Sequence, residues 1–495
     1  MPPITDPRDA LFDVTEVKKD LGKRTGKSAA AVLVFSVIKL VIALFTTAIL
    51  ARLIPPSQHG LLALAMPVVL IASGLSEFGL AQAITQMEHV THRLVSTLFW
   101  VNVSLGLALC LFIMALSTKA AEFYNQPGVT MIFIVLAPYV FFSVLNTQYM
   151  AMLRRQLRIK TIETCVLSAT IISALVAIIL AWFGYGVTAL IAQLLVQQGL
   201  TFVFLVFVTK WYPSPPWDAD LVAASGALKF GGFLAAERML NDVGRTFQIA
   251  LIGKYFGEVS AGIYYRTETF ALMPQRRVVS PLSAAFIPSL SRLQDDMAGF
   301  QAMFLRQISR GNLILVPIGA VLCTCPDIIV RVLLGPEWEA AIQVLPWLGL
   351  LTLTALTTNV FAWSMVASGK ARELLYYRLI SFVIIVISVL IGLSLGFIQL
   401  VAAYAIAVSL LNLLLLSIFV VKFTKVSRKT VLACLAENFA LVIMFVATGF
   451  GSRILIDSSM LVETLVTGTA ITMVLLLYIM SRQALRRDLL KVIRR

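Results

Sequence analysis

Runs of about twenty apolar residues recur along almost the whole of this 495-residue chain. A helix of about twenty residues is long enough to cross the hydrocarbon core of a bilayer. The runs lack the alternation of apolar and polar residues that marks a membrane β-barrel. Only 13% of the residues are charged, about half the share that a soluble domain carries. The pattern therefore predicts an all-α integral membrane protein.

The spacing of these runs predicts about fourteen transmembrane helices. Their approximate cores lie at 29–51, 60–83, 95–117, 129–150, 162–183, 186–209, 228–253, 259–285, 304–325, 340–366, 376–396, 398–421, 433–452 and 461–480. Lys and Arg concentrate in alternate connections and in both terminal tails, which places both termini in the cytoplasm by the positive-inside rule. Four tryptophans near span ends are typical of interfacial aromatics: Trp182, Trp211, Trp217 and Trp338.

Two similar turns suggest an internal repeat. Arg52–Gly60 and Lys254–Gly262 each run from a cation through a polar turn to a glycine that opens the next helix, about 200 residues apart. Transporters are often built from such repeats, with the substrate site between them. The predicted organisation is a cytoplasmic tail (1–28), an N-lobe of spans 1–6 (29–209), a cytoplasmic linker (210–227), a C-lobe of spans 7–12 (228–421), spans 13–14 (422–480) and a basic cytoplasmic tail (481–495).

Span 7 carries charges where lipid would be expected. At helical spacing, one face collects Arg238, Asn241, Asp242, Arg245 and Gln248. Such a stripe must face protein or water. Two interpretations remain open: the charges pair along the helix and lock it to a neighbour, or they line a substrate cavity. The excess of cations over anions favours the cavity.

Span 8 repeats the pattern. Arg266 and Glu268 lie inside it, and Arg277 follows Arg266 by eleven residues, about three helical turns, so that the two share a side. Arg276 lies beside Arg277. Prolines every seven residues predict that this helix is kinked or segmented: Pro274, Pro281 and Pro288.

The charges inside the spans are mostly cationic. The candidate substrate-binding residues are Lys39, Arg238, Arg245, Arg266, Arg276 and Arg277. The acids that could hold a coupling H⁺ or Na⁺ are Glu77, Glu237, Asp242 and Glu268. A cationic interior implies a water-filled cavity and an anionic ligand, and the arginine fork suits phosphate oxygens. No catalytic residues and no cofactor beyond such an ion are expected.

Other ligands are not expected. The net charge of +15 comes from residues at helix ends and therefore does not indicate nucleic acid. Gly22–Ser28 resembles a phosphate-binding loop but is one residue short, follows no strand and enters a span, so a nucleotide is not expected either. Three histidines match no metal spacing and are expected on the surface, in loops: His59, His89 and His92.

Several motifs carry a family resemblance. ARLIPPSQHG at 51–60, GLSEFGL at 74–80, IGKYFG at 252–257 with AGIYY at 261–265, and AFIPSLSRL at 285–293 resemble the polysaccharide flippases of the multidrug/oligosaccharidyl-lipid/polysaccharide exporter superfamily. The resemblance is closest to the subfamily that serves colanic acid and similar exopolysaccharides. It covers most of spans 1–10.

The resemblance implies a transporter of the bacterial inner membrane, not an enzyme. It would flip an undecaprenyl-diphosphate-linked oligosaccharide to the periplasmic leaflet for exopolysaccharide or lipopolysaccharide synthesis, by alternating access of two lobes around a cationic cavity. Lys39, Arg238 and Arg266 would be the equivalents, by span, of the family's ligand-binding cations. Span 2 departs from the family by offering Glu77 in place of a cation. The implied partners are the lipid-linked oligosaccharide, membrane lipids and other polysaccharide assembly proteins.

Three alternatives remain. A flippase for the peptidoglycan lipid precursor would differ only in substrate. A multidrug exporter of the same superfamily would need an acidic, aromatic cavity and only twelve spans. A membrane polysaccharide polymerase or glycosyltransferase usually needs a sizeable periplasmic loop, whereas the outer loops here are short.

Overall fold

The computed structural model describes residues 21–76, 90–455 and 460–481; for some of these, including 225–242 and 245, it describes only the backbone. Every regular element in these ranges is helical. The helices are α1 Leu21–Leu53, α2 Pro56–Ser76, α3 His92–Tyr124, α4 Gly128–Arg155, α5 Ile159–Trp182, α6 Val187–Thr209, α7 Leu221–Ala271, α8 Met273–Ser291, α9 Met297–Thr324, α10 Pro326–Ile329, α11 Ala341–Ala367, α12 Ala371–Leu395, α13 Phe397–Ile406, α14 Asn412–Phe423, α15 Arg428–Leu455 and α16 Met460–Ser481.

The helices confirm the predicted all-α membrane class. Each predicted span core overlaps one or two of them, and α13 and α14, joined through one turn of π-helix, together form span 12. Within the described ranges, eleven helical segments are long and apolar enough to cross a membrane. The charge-bearing spans 7 and 8, and span 14, are not among these eleven. The count of fourteen therefore stays a prediction.

Large apolar side chains lie exposed along the outer faces of these helices. Phe45, Phe112, Ile418 and Ile443 are each 60% exposed or more. An apolar surface of this kind is unfavourable in water and is the surface that lipid tails cover. The chain is a multi-pass membrane protein.

The chain divides into two compact units, Met1–Gly262 and Ile263–Arg495. In the first unit, α3 packs along α4, α5 packs along α6, and α1 lies beside α5. Its core contains an aromatic cluster of Phe99, Tyr149 and Trp211 with Phe202 packed against it. In the second unit, α9 packs along both α11 and α15. Its largest core cluster contains Phe286, Phe300, Phe304, Phe361 and Trp363.

The two similar turns meet in the first unit. A Cβ on Gly60 would overlap the backbone carbonyl oxygen of Glu258, and a Cβ on Gly262 would overlap that of Pro56. Pro56 and Gly60 occupy the same places in the first turn as Glu258 and Gly262 in the second. The contact is thus reciprocal, as expected of related elements. Only residues without a side chain allow the two backbones to approach so closely.

Span 7 and the first part of span 8 are two helices that meet at a kink. Gly257 has φ 81° and ψ 177°, a conformation that interrupts α7 at the predicted turn. The next helix boundary falls at Leu272, and Pro274 lies in the first turn of α8, where its missing N–H costs nothing. The prediction that span 8 is segmented is therefore correct at Pro274. The helix continues through Pro281 and Pro288.

The segment between α6 and α7 is fastened to the start of α3. The Trp211 indole N–H donates to His92 Nδ1 at 3.0 Å, and His92 Nε2 lies 2.9 Å from Ser214 Oγ. The Trp100 indole N–H donates to the Ser214 carbonyl oxygen at 2.7 Å. Trp211 and His92 are each 1% exposed. The expectations of an interfacial Trp211 and a surface His92 are wrong. Both side chains are buried, and the hydrogen bond between them satisfies the Trp211 N–H and His92 Nδ1.

The other predicted tryptophans and histidines include both exposed and buried side chains. Trp182 and Trp217 are highly exposed, as interfacial aromatics are, whereas Trp338 is fully buried between α10 and α11, contrary to prediction. His59 is buried as well, so its predicted surface position is also wrong. His89 lies outside the described residues.

A bidentate ion pair ties α15 to the chain just after α9. Arg453 donates from Nη1 and Nη2 to the two carboxylate oxygens of Asp327, at 3.0 and 2.7 Å, and from Nη1 to the Thr324 carbonyl oxygen at 2.6 Å. Both side chains are about three-quarters buried. Two parallel bonds of this type are among the stronger polar contacts in proteins.

We therefore expect Asp327→Asn to lower the free energy of unfolding by about 1–3 kcal/mol, which thermal unfolding of the purified protein would show as a lower apparent Tm. The matched control is Glu339→Gln, which removes the acid of the exposed Arg331–Glu339 pair and should cost less than about 1 kcal/mol. Equal effects of the two variants would contradict the expectation.

Candidate substrate-binding site

In the first unit, the predicted cation Lys39 is part of an ion pair. Its ammonium group donates to the Glu163 carboxylate, which joins α1 to α5. The side chains are only 11% and 17% exposed. Glu163 follows Ile159, the first residue of α5, by four residues. The carboxylate therefore lies near the end of α5 that the Lys and Arg pattern predicts to be cytoplasmic.

Glu163 is absent from the candidates drawn from the sequence. It lies at the second position of predicted span 5, just after the cations Arg154, Arg155, Arg158 and Lys160. A carboxylate at the edge of a span is easily counted with the neighbouring loop. The only signal in the sequence is that it is the one acid in an otherwise cationic stretch.

The charged stripe of α7 is described only in part. Its backbone is helical at four of the candidate residues, whose side chains lie outside the described set: Glu237, Arg238, Asp242 and Arg245. Glu77 lies outside the described residues altogether. Gln248, the last member of the stripe, is fully buried, as expected of a polar face that turns towards protein.

In the second unit, the candidate residues of span 8 lie on both sides of Leu272, the residue between α7 and α8. Glu268 is buried, and one of its carboxylate oxygens lies 3.6 Å from Nη2 of Arg276, whose side chain is 43% exposed. Nε of Arg266 is shielded from solvent. Leu272 itself keeps a helical conformation and helical hydrogen bonds to Glu268 and Arg276, and a shared side for Arg266 and Arg277 stays a prediction.

A further carboxylate inside the second unit is also absent from the candidates. Glu437 on α15 accepts hydrogen bonds from Ser309 Oγ at 3.0 Å and from the Tyr478 hydroxyl at 2.8 Å. The next residue, Asn438, is fully buried and accepts a bond from Asn312 Nδ2 at 2.8 Å. A lone acid within a predicted span is a recognisable signal. Its partners lie on α9 and α16, which the sequence does not show to be neighbours.

Two of the predicted cations already lie beside carboxylates, which limits how an anionic ligand can bind them. Lys39 and Arg276 each lie beside a carboxylate, so an anionic ligand must compete with Glu163 at the first and with Glu268 at the second. Ion pairs of this kind keep a cation inside the membrane without a ligand. Binding of a phosphate group then becomes an exchange of one anion for another.

Charged residues inside the spans of a helical membrane protein mark functional sites, and the fold of this chain is similar to that of solved transporters. The solved structure of a lipid II flippase in its inward closed conformation is similar, with a TM-score of 0.70 over 92% of this chain and 99% of that one, at 13% identity. An inward-facing multidrug resistance transporter of the MATE family gives a TM-score of 0.58 over 83% of this chain and 98% of that one, at 14% identity.

Sequence relatives are named for the biosynthesis of bacterial polysaccharides, and one of them is named a transport protein. The lipopolysaccharide biosynthesis protein WzxC of Escherichia coli is 24% identical over 71% of this chain and 71% of its own length. The succinoglycan biosynthesis transport protein ExoT of Rhizobium meliloti is 23% identical over 68% of this chain and 67% of its own. The teichuronic acid biosynthesis protein TuaB of Bacillus subtilis is 23% identical over 61% and 62%.

The family model described as polysaccharide biosynthesis protein matches residues 49–343, more than half of the chain. The chain belongs to this family. The resemblance that the motifs indicate is thereby confirmed, and the matched residues include all four of the motifs that carry it.

Proposed function

We propose that this protein flips an undecaprenyl-diphosphate-linked oligosaccharide from the cytoplasmic to the periplasmic leaflet of the bacterial inner membrane. The observation that carries the proposal is that a chain of the polysaccharide biosynthesis family has the fold of a lipid flippase. Relatives named for lipopolysaccharide, succinoglycan and teichuronic acid synthesis support a glycan cargo. Cations inside the spans suit a diphosphate head group.

In this proposal the predicted lobes, 29–209 and 228–421, alternate access to a cavity lined by Lys39, Arg238, Arg245, Arg266, Arg276 and Arg277. Glu77, Glu237, Asp242 and Glu268 are the candidates for binding a coupling ion. The last two spans accommodate the lipid tail. Concentrated Lys and Arg in both terminal tails support cytoplasmic termini.

The test uses cells that lack this gene. A glycan-cleaving enzyme that cannot cross the membrane is added from the periplasmic side, and the lipid-linked oligosaccharide is then recovered and measured. We expect complete repeat units to accumulate and to be protected from the enzyme, because the missing step is transfer across the membrane. Repeat units that reach the periplasm and remain unpolymerised would contradict the proposal and favour a polymerase.

A second candidate substrate is the lipid precursor of peptidoglycan, because the structure with the TM-score of 0.70 is a lipid II flippase. Proteoliposomes that contain the purified protein and either lipid distinguish the two. We expect flipping of the oligosaccharide lipid and little of lipid II. The reverse preference would assign the protein to peptidoglycan synthesis.

A further inference from the structure

The ion pair between Lys39 and Glu163 has a consequence for how an anionic lipid enters. The pair is enclosed, with both side chains less than a fifth exposed. Removing one partner of such a pair leaves a charge without compensation in a poorly solvated place, which is strongly unfavourable. If a diphosphate bound the Lys39 ammonium group while Glu163 stayed ionised, two anions would lie beside one cation.

Lys39 is the cation that lies within ion-pair distance of Glu163. The neighbouring helix α6 contains no ionisable residue, and α4 contributes only Tyr139, Tyr149, Arg154 and Arg155, the last two at its end. On α5 and at its N-cap the nearby ionisable groups are the exposed Arg158 and Lys160 and the buried Cys165. On α1 the next cations, Lys27 and Arg52, are more than ten residues from Lys39. Because Arg158 and Lys160 are exposed, a proton on Glu163 would remove the excess of negative charge inside the pair's enclosed site.

We propose that Glu163 is the counter-ion of Lys39 in the ligand-free protein. When a diphosphate replaces the Glu163 carboxylate as the partner of Lys39, Glu163 takes up a proton. The inference rests on the proposed function. The protonated carboxyl group can donate an O–H to a phosphate oxygen, which turns a repelling neighbour into a ligand contact. When the diphosphate leaves Lys39, the proton is released and the pair forms again. Because Glu163 lies near the predicted cytoplasmic end of α5, the proton exchanges with that side.

The test is titration calorimetry of the full-length protein with farnesyl diphosphate, a water-soluble prenyl diphosphate, in buffers of different ionisation enthalpy. This measurement gives the number of protons taken up on binding. We expect the wild type to take up about one proton more than Glu163→Gln. The wild type carries the extra proton when farnesyl diphosphate is bound. Its affinity for farnesyl diphosphate, divided by that of Glu163→Gln, should therefore fall by up to about tenfold for each unit by which the pH rises. Glu163→Asp, which keeps the carboxylate, should keep the uptake.

Two controls separate this role from a structural one. A buried lysine can itself lose its proton, so the comparison is repeated in a Lys39→Arg background, where the cation keeps its charge. Asp327→Asn removes the acid of a different ion pair and should lower stability without changing proton uptake.

Equal proton uptake by the wild type and Glu163→Gln would overturn the inference, as would sodium uptake in place of a proton. Flipping of the natural lipid by wild-type proteoliposomes is measured separately. If the wild type flips the lipid and the uptake is unchanged in Glu163→Gln, only the inference fails. If the wild type does not flip it, the proposed function fails and the inference with it.

Discussion

Arg266→Ala is expected to reduce flipping of the lipid-linked oligosaccharide by about tenfold to a hundredfold while the protein reaches the membrane at its normal level. A hydrogen bond between charged partners contributes about 1.5–3 kcal/mol, and in a shielded site little water replaces it. Nε of Arg266 is shielded from solvent in span 8. We expect Arg238→Ala to act in the same way. Export of polymer from cells and flipping in proteoliposomes provide the measurement.

The matched control is Arg93→Ala. The Arg93 side chain is 67% exposed, and its nearest acid, Asp220, is 3.8 Å away. Exposed pairs of this kind contribute about 0–1 kcal/mol, so export should stay near the wild-type level. Unchanged export in both Arg266→Ala and Arg238→Ala would contradict the assignment of the cavity. Loss of export together with loss of protein from the membrane would show that these arginines stabilise the folded protein and do not act in transport alone.

Gly262→Ala is expected to destabilise the first unit by about 1–3 kcal/mol or more, because overpacking at backbone contacts has costs of this size. The added Cβ would overlap the Pro56 carbonyl oxygen and lie 2.6 Å from the Gly60 nitrogen. These are backbone atoms, which cannot rotate away as the end of a side chain can. The measurement is the apparent Tm of the purified protein, and Gly60→Ala should lower it similarly.

Gly199→Ala is the control for this pair of variants. Nothing lies within 4 Å of a Cβ at Gly199 on α6, and alanine favours the helix over glycine. Its apparent Tm should be unchanged or higher. An apparent Tm for Gly262→Ala equal to that of the wild type would show that the two turns do not make this contact.

Local features of the fold are those that the sequence predicts best. Apolar length predicts the spans, and Pro274 predicts the boundary between α7 and α8 within span 8 because its ring removes a backbone donor. The similar turns predict a repeat, and the reciprocal contact of Gly60 and Gly262 agrees with it. Each of these effects depends on residues that are close together in the chain or identical in pattern.

Partners across helices could not be predicted. Glu163 lies 124 residues from Lys39, and only the packing of α1 against α5 brings them together. Trp211 has the position of an interfacial residue, but His92, which lies 119 residues away, gives it a buried hydrogen bond. Glu437 could have been found as a lone acid in a span, whereas Ser309 and Tyr478 could not have been assigned to it.

The contact between Gly60 and Gly262 has the character of an isologous dimer interface that lies within a single chain. In such an interface a surface meets its own equivalent, so that each position is used twice. Here Pro56 meets Gly262 while Glu258 meets Gly60. A fragment that holds only one of the two turns would therefore expose a backbone surface that is complementary to the other turn.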